Sequence, residues 1–117
     1  LTSEKLKEAK KRIDALRGIF DIDNRRNYIN SETKKTEEQG FWDNPEKAEQ
    51  ILKKISFEKK WITQFDLVSS KYDDLEVLFE FYKSGDITEE EVDKDYLVCM
   101  EFIETLELKN MLGNEED

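Results

Sequence analysis

A chain of 117 residues and 14.0 kDa is one domain's worth, able to bury roughly 65% of its unfolded surface; 41% charged residues, 4 glycines and 1 proline argue for long helices and against a turn-rich sandwich or barrel. The absence of histidine removes the usual general base near neutral pH and His metal sites, and the single Cys99 can neither close an internal disulfide nor supply a zinc-type cluster. No apolar run approaches the length of about 18 residues that a membrane span needs, the first residues lack a signal peptide's apolar stretch, and Leu rather than Met at position 1 reads as a trimmed or excised piece.

In chain order, the first helix is expected over about 3–18, with Ser3 as N-cap. Its apolar residues Leu6, Ala9, Ile13, Leu16 and Phe20 are spaced 3, 4, 3, 4, the seam of a packing helix. Gly18 and the Asp21-Ile22-Asp23-Asn24 run predict a break around residues 19–23, with Asp23 or Asn24 capping a second helix over about 24–39. A continuous helix through Gly18 is the alternative, since one glycine costs about 1 kcal/mol. Gly40-Phe41-Trp42-Asp43-Asn44-Pro45 is the clearest punctuation: Gly40 ends the second helix, Asn44 caps the third and Pro45 opens it. Nothing interrupts that third helix until Lys83, so residues 45–83 span about 58 Å. Two apolar stripes, one through Ile55, Ile62, Phe65, Tyr72 and Phe79, the other through Phe57, Trp61, Val68 and Leu75, require neighbours on two sides. Ser84-Gly85-Asp86 forms the next turn. Thr88 and Glu91 are spaced as a capping box and Ile87 and Val92 as a hydrophobic staple, opening a fourth helix over 89–112. Its seam is Val92, Tyr96, Cys99, Ile103 and Leu106, and Gly113 ends it.

These lengths predict one all-α domain, an elongated helical bundle with a long antiparallel two-helix arm. The fourth helix can cover only the second half of the third, leaving the first half to the second helix. The arm is expected to taper to the Gly85 turn.

The candidate chemistry has structural explanations. Glu89, Glu90, Glu91, Asp93 and Asp95 lack the alternating ligands and central glycine of a calcium loop and read as a solvated helix start. Asp73 and Asp74 diverge by about 100° on one helix and do not share a site. Cys99 and Trp61 read as core. Trp42 reads as packed under its turn, the other reading being an anchor for a partner. Charge is uneven: residues 1–60 hold 15 Lys/Arg and 12 Asp/Glu, residues 61–117 hold 4 and 17. The acidic half repels phosphate backbones, so any RNA contact falls to the first half. Its basic concentration, Lys10, Lys11, Arg17, Arg25 and Arg26 with Arg12, is the candidate contact set on charge alone. No catalytic residues, cofactor or metal are implied.

Three blocks carry a resemblance. Leu16-Arg17-Gly18-Ile19-Phe20-Asp21-Ile22-Asp23 resembles the opening signature of the bacterial peptide chain release factor 2 family. Phe41-Trp42-Asp43-Asn44-Pro45-Glu46-Lys47-Ala48 is similar to that family's Trp-Asn/Asp-Asp/Glu-Pro-Glu segment, at the same distance. Residues 106–117, Leu-Glu-Leu-Lys-Asn-Met-Leu-Gly-Asn-Glu-Glu-Asp, resemble the stretch that closes the family's helical N-terminal domain. Lys109-Asn110 stand where the family usually has two arginines, and Gly113-Asn114 where it has Ser-Gly. The resemblance implies a cytoplasmic parent that reads UAA and UGA stop codons and triggers peptidyl-tRNA hydrolysis on the ribosome. This chain would be its N-terminal domain, since the Ser-Pro-Phe and Gly-Gly-Gln motifs of the codon-reading and hydrolytic parts do not occur in it. Such a domain is implied to meet the large-subunit stalk base, both protein and rRNA, and the GTPase that recycles release factors, with no membrane or DNA partner. Two other readings remain: a free-standing acidic helical adaptor for a basic protein, and the tRNA-binding arm of a synthetase, which the acidic residues beside Gly85 disfavour.

Overall fold

The computed structural model describes residues 1–113. The last four residues of the third resemblance block, Asn114 to Asp117, lie outside them. The described residues form four α-helices, α1 (Ser3–Ile19), α2 (Ile22–Thr36), α3 (Pro45–Lys83) and α4 (Glu89–Met111), with a short 3-10 turn at Phe41–Asp43 and no strand.

The 39-residue α3 is the spine and sets the long dimension of a molecule measuring 61 × 29 × 18 Å. Asn44 Oδ1 accepts from the Lys47 amide at 3.2 Å to start it, and Pro45 occupies the first turn. At its far end Gly85, at φ 81°, turns the chain left-handed. The Asp86 amide then donates to Phe81 O and the Gly85 amide to Tyr82 O, the paired bonds of a Schellman turn. Thr88 Oγ1 accepts from the Glu91 amide at 3.1 Å and opens α4. The reverse bond of the capping box, from the Thr88 amide to the Glu91 carboxylate, is not made; separately, the Glu89 carboxylate accepts from the Tyr82 hydroxyl at 3.2 Å.

Helix α4 returns along the second half of α3, and α2 lies along the first half. Helix α1 packs on α3 and α4 together. The main core joins Ala9, Ile13 and Leu16 of α1, Phe65, Val68 and Leu75 of α3, and Val92, Cys99, Ile103 and Leu106 of α4. A smaller cluster, Ile29, Ile55 and Ile62, holds α2 to the first half of α3. The two-helix arm is therefore α2 with α3, ending at Gly40, rather than a taper toward Gly85. The Gly85 end is three helices thick because α1 begins there, with the main-chain nitrogen of Leu1 against Asp93.

Several local expectations are corrected. Thr2, not Ser3, caps α1, its Oγ1 accepting from the Lys5 amide at 3.1 Å. The break itself falls at Phe20–Asp21, inside the expected residues 19–23, with Gly18 within α1. Asp21 adopts φ 54°, ψ 45°, so α2 begins at Ile22 and neither Asp23 nor Asn24 caps it. The reason is burial: Ile22 is fully enclosed, and a later start would leave its carbonyl unpaired beside the core. Helix α2 stops at Thr36 rather than 39. There the Glu37 and Glu38 amides donate to Lys34 O and Lys35 O in a tightened last turn. Gly40, at φ 86°, then directs the chain into the 3-10 turn. Trp42 is not packed under that turn. It is 63% exposed, and the half-buried Phe41 meets it edge-on at 5.0 Å. Helix α4 ends one residue early, at Met111.

The left-handed Asp21 gives a direct test. A β-branched residue is poorly accommodated there, so Asp21→Val lowers stability by about 1–2 kcal/mol in denaturant unfolding, whereas Asp21→Gly stays within about 0.5 kcal/mol of the parent.

Candidate docking surface

The five cations singled out from charge fall into two settings. Lys10 and Lys11 stand on the exposed outer side of α1, Lys10 Nζ lying 3.3 Å from Asp14 one turn on. Surface pairs of this kind contribute little and leave both groups accessible to a partner. Arg17, Arg25 and Arg26 flank the α1–α2 break and turn toward α3. Arg17 packs over the Phe65 ring at 5.1 Å and reaches Asp23 at 3.2 Å. Arg26 forks onto the Asp66 carboxylate, one of its two bonds measuring 3.2 Å, and that bond raises the guanidinium pKa. Arg17 and Arg26 thus converge on consecutive α3 residues, while Lys10 and Lys11 lie further along α1.

Arg25 is the most enclosed of the set. Its Nε donates to Phe20 O at 2.7 Å, and its Nη1 reaches both oxygens of Glu58 at 3.1 Å. The side chains of Arg25 and Glu58 are only 19% and 18% exposed. The guanidinium also lies 5.9 Å from the Trp61 ring, on which Phe20 stacks at 5.0 Å. Arg25 therefore terminates α1 through a side chain distant from it in the helix pattern, and ties the break to the spine. Trp61 is core, as its stripe predicts, and its buried indole N–H has no acceptor among the described residues.

A further cation links helices without any local signal. Arg12 forks onto Glu107 of α4 at 3.0 and 2.6 Å, the bond raising the Arg12 pKa. The pair is 95 residues apart in sequence, and neither partner stands out from its charged neighbours.

The resolved pKa shifts all move away from neutrality. Burial, then the Glu76 carboxylate 3.3 Å away, pushes the Tyr72 phenol up to about 12. Burial raises the Cys99 thiol, with Lys71 opposing. Neither group is poised for proton transfer near neutral pH, and Cys99 is a small core residue as its seam predicts. Among the described residues no group of three or more Cys, Asp or Glu is placed to hold a metal, and no helix is long and apolar enough to cross a membrane. The arrangement presents charged helical faces for docking.

No protein-family model matches the chain, and no solved structure matches it. Curated relatives do. Over 117 residues, 98% of this chain, it is 26% identical to peptide chain release factor 2 of Streptomyces avermitilis, spanning 32% of that protein. It is 31% identical over 84 residues, 71% of the chain, to peptide chain release factor 2 of Clostridium perfringens, spanning 23% of it. The Shewanella baltica protein of the same name is 27% identical over 97% of the chain. The likeness is thus to the peptide chain release factors. Within them it is to peptide chain release factor 2, as the three sequence blocks imply. The chain spans about a third or less of the length of these relatives.

Two measurements test this reading of the side chains. Arg25→Ala lowers unfolding free energy by about 2 kcal/mol, since Glu58 is left half-enclosed without its partner, whereas Lys11→Ala stays within about 0.5 kcal/mol. The folded-state pKa of Tyr72 lies above its ordinary value of 10.0, so the stability tied to it is full below pH 10 and is lost as pH rises toward 12. Tyr72→Phe therefore flattens the fall in melting temperature between pH 10 and 12 relative to the parent.

Proposed function

We propose that this chain is the N-terminal helical domain of a translation termination factor, one that recognises UAA and UGA stop codons and promotes peptidyl-tRNA hydrolysis on the ribosome. The observation that carries the reading is the likeness to peptide chain release factor 2 along 98% of the chain. Neither Ser-Pro-Phe nor Gly-Gly-Gln occurs in the 117 residues, so codon reading and hydrolysis belong to other parts of such a factor. The role left to this domain is docking, noncatalytic and cytoplasmic, at the large-subunit stalk base and the recycling GTPase. An elongated helical body with a two-helix arm suits it, because it reaches across a distance while exposing long charged faces.

Charge assigns the ribosomal RNA side of this contact to α1 and α2. Lys10 and Lys11 are its leading residues because they are accessible. Arg17 contributes from the edge of the break, and Arg25 and Arg26 hold the surface in shape through Glu58 and Asp66. The acidic second half supports a second reading, a free-standing helical adaptor for a basic protein.

Reading the source transcript in every frame past the codon for Asp117 separates the two. Ser-Pro-Phe followed by Gly-Gly-Gln supports the termination factor; a stop with neither motif leaves the adaptor. In the full factor, Lys10→Glu with Lys11→Glu weakens ribosome binding about tenfold at physiological salt and flattens its salt dependence. Unchanged affinity removes the basic face from the contact.

A further inference from the structure

Among the described residues, one face of the α3–α4 pair is uncovered. A groove of about 250 Å³ runs between the two helices and is lined by no residue of α1 or α2. Buried Val68 and Leu106 form its floor, and Leu67 and Phe102 its walls. Lys71 Nζ lies 5.4 Å from the Phe102 ring. Lys109, bonded to Gln64, closes the end nearer Gly113.

Helical spacing extends this strip toward Gly85. On α3, positions 67, 71, 74, 78 and 81 recur at steps of 4 and 3, and on α4 positions 95, 98, 102, 105 and 109 at steps of 3 and 4. Leu67 is 48% and Phe81 47% exposed, and Val98 is exposed as well. From Leu67 to Phe81 the strip is about 21 Å long, four helical turns. Leu67, Leu78, Phe81, Val98 and Phe102 share this strip with charged residues at 71, 74, 95 and 109, and apolar side chains at helical spacing among charges are the pattern of a surface that takes an amphipathic helix. The charge around them names the occupant. Asp74 and Asp95 fall on the strip toward Gly85 and Glu101 lines the groove, against Lys71 and Lys109 on the Gly113 side, and the described residues from 61 to 113 carry 4 basic and 14 acidic residues. A second copy, itself at net −10, meets that field with repulsion.

We propose that the open α3–α4 groove seats one amphipathic helix of a basic partner protein, its apolar stripe against Leu67, Phe81 and Phe102 and its lysines or arginines beside Asp74, Asp95 and Glu101. This mode uses apolar anchors at helical spacing for affinity and flanking charge for selection. It stands independently of the termination reading, because neither Lys10 nor Lys11 nor any other α1 residue lines the groove.

The test titrates the isotope-labelled 117-residue chain with a synthetic 15-residue Leu/Lys amphipathic helix, and with a Leu/Glu peptide of the same apolar stripe. The Leu/Lys peptide shifts amide resonances within 67–81 of α3 and 95–109 of α4 and leaves α2 unmoved, and the Leu/Glu peptide does not bind. Leu67→Ser with Phe81→Ser removes apolar surface at constant charge and weakens binding about tenfold or more. Asp74→Lys with Asp95→Lys does the same by charge, with helicity by circular dichroism unchanged in both variants. Three results overturn the proposal: shifts spread over every acidic surface, binding indifferent to Leu67→Ser with Phe81→Ser, or a concentration-dependent dimer that produces the same shifts without peptide. Failure here, with ribosome docking still lost in the Lys10 and Lys11 variants, discards the groove and leaves the termination reading intact.

Discussion

The structure depends on a helix too long to bury itself. Pro45–Lys83 makes 39 residues without a breaker, and its two apolar stripes face different directions along most of that length. An isolated helix gains little in water, so α3 persists because something packs on each stripe. No other helix is as long, and the cover is divided. Helix α2 takes the first half, and α1 and α4 share the second. The change from two helices to three along the axis is a consequence of that division, and it places the thin arm at Gly40 and the thick body at Gly85.

Dividing the cover requires a break between α1 and α2 that does not cost the core its seal. Phe20 and Ile22 are both buried on either side of it, so the chain cannot loop out. It turns within a single residue, Asp21, in a left-handed conformation. Arg25 then satisfies the Phe20 carbonyl and pairs with Glu58 on the spine. A cation that charge alone assigns to a docking surface is in this way also a tie between helices. Arg17 and Arg26 make more exposed pairs with Asp23 and Asp66 and stay open to a partner as well. The division of labour left on the surface is simple. α1 offers accessible lysines, and the α3–α4 pair offers apolar side chains in an acidic field.

The likeness to peptide chain release factor 2 fits this plan. The two blocks that open and cross the chain coincide with its two sharpest backbone events, the Phe20–Asp21 break and the Gly40–Pro45 turn. These are places where backbone conformation constrains residue choice most tightly: a left-handed glycine, a cap, a proline at the first turn. The stretch that follows the second block, through most of α3 and α4, packs through apolar periodicity and tolerates exchange of one apolar residue for another.

What the sequence determined by itself was local and periodic. Helical class, the bounds of α3, the Asn44 and Thr88 caps and the core seams of α1, α3 and α4 follow from 3.6-residue spacing and from side chains that bond their own neighbours. The uneven charge between halves was equally legible. The remaining features depend on residues far apart in the chain. These include the start of α2 at Ile22, set by burial, and the ties from Arg25 to Glu58 and Arg12 to Glu107, set by packing geometry. The position of the two-helix arm follows from where α1 begins, and the exposure of Trp42 from how the 3-10 turn presents it. Periodicity states that a helix has a buried face; it carries no term for which neighbour arrives there, or from which end.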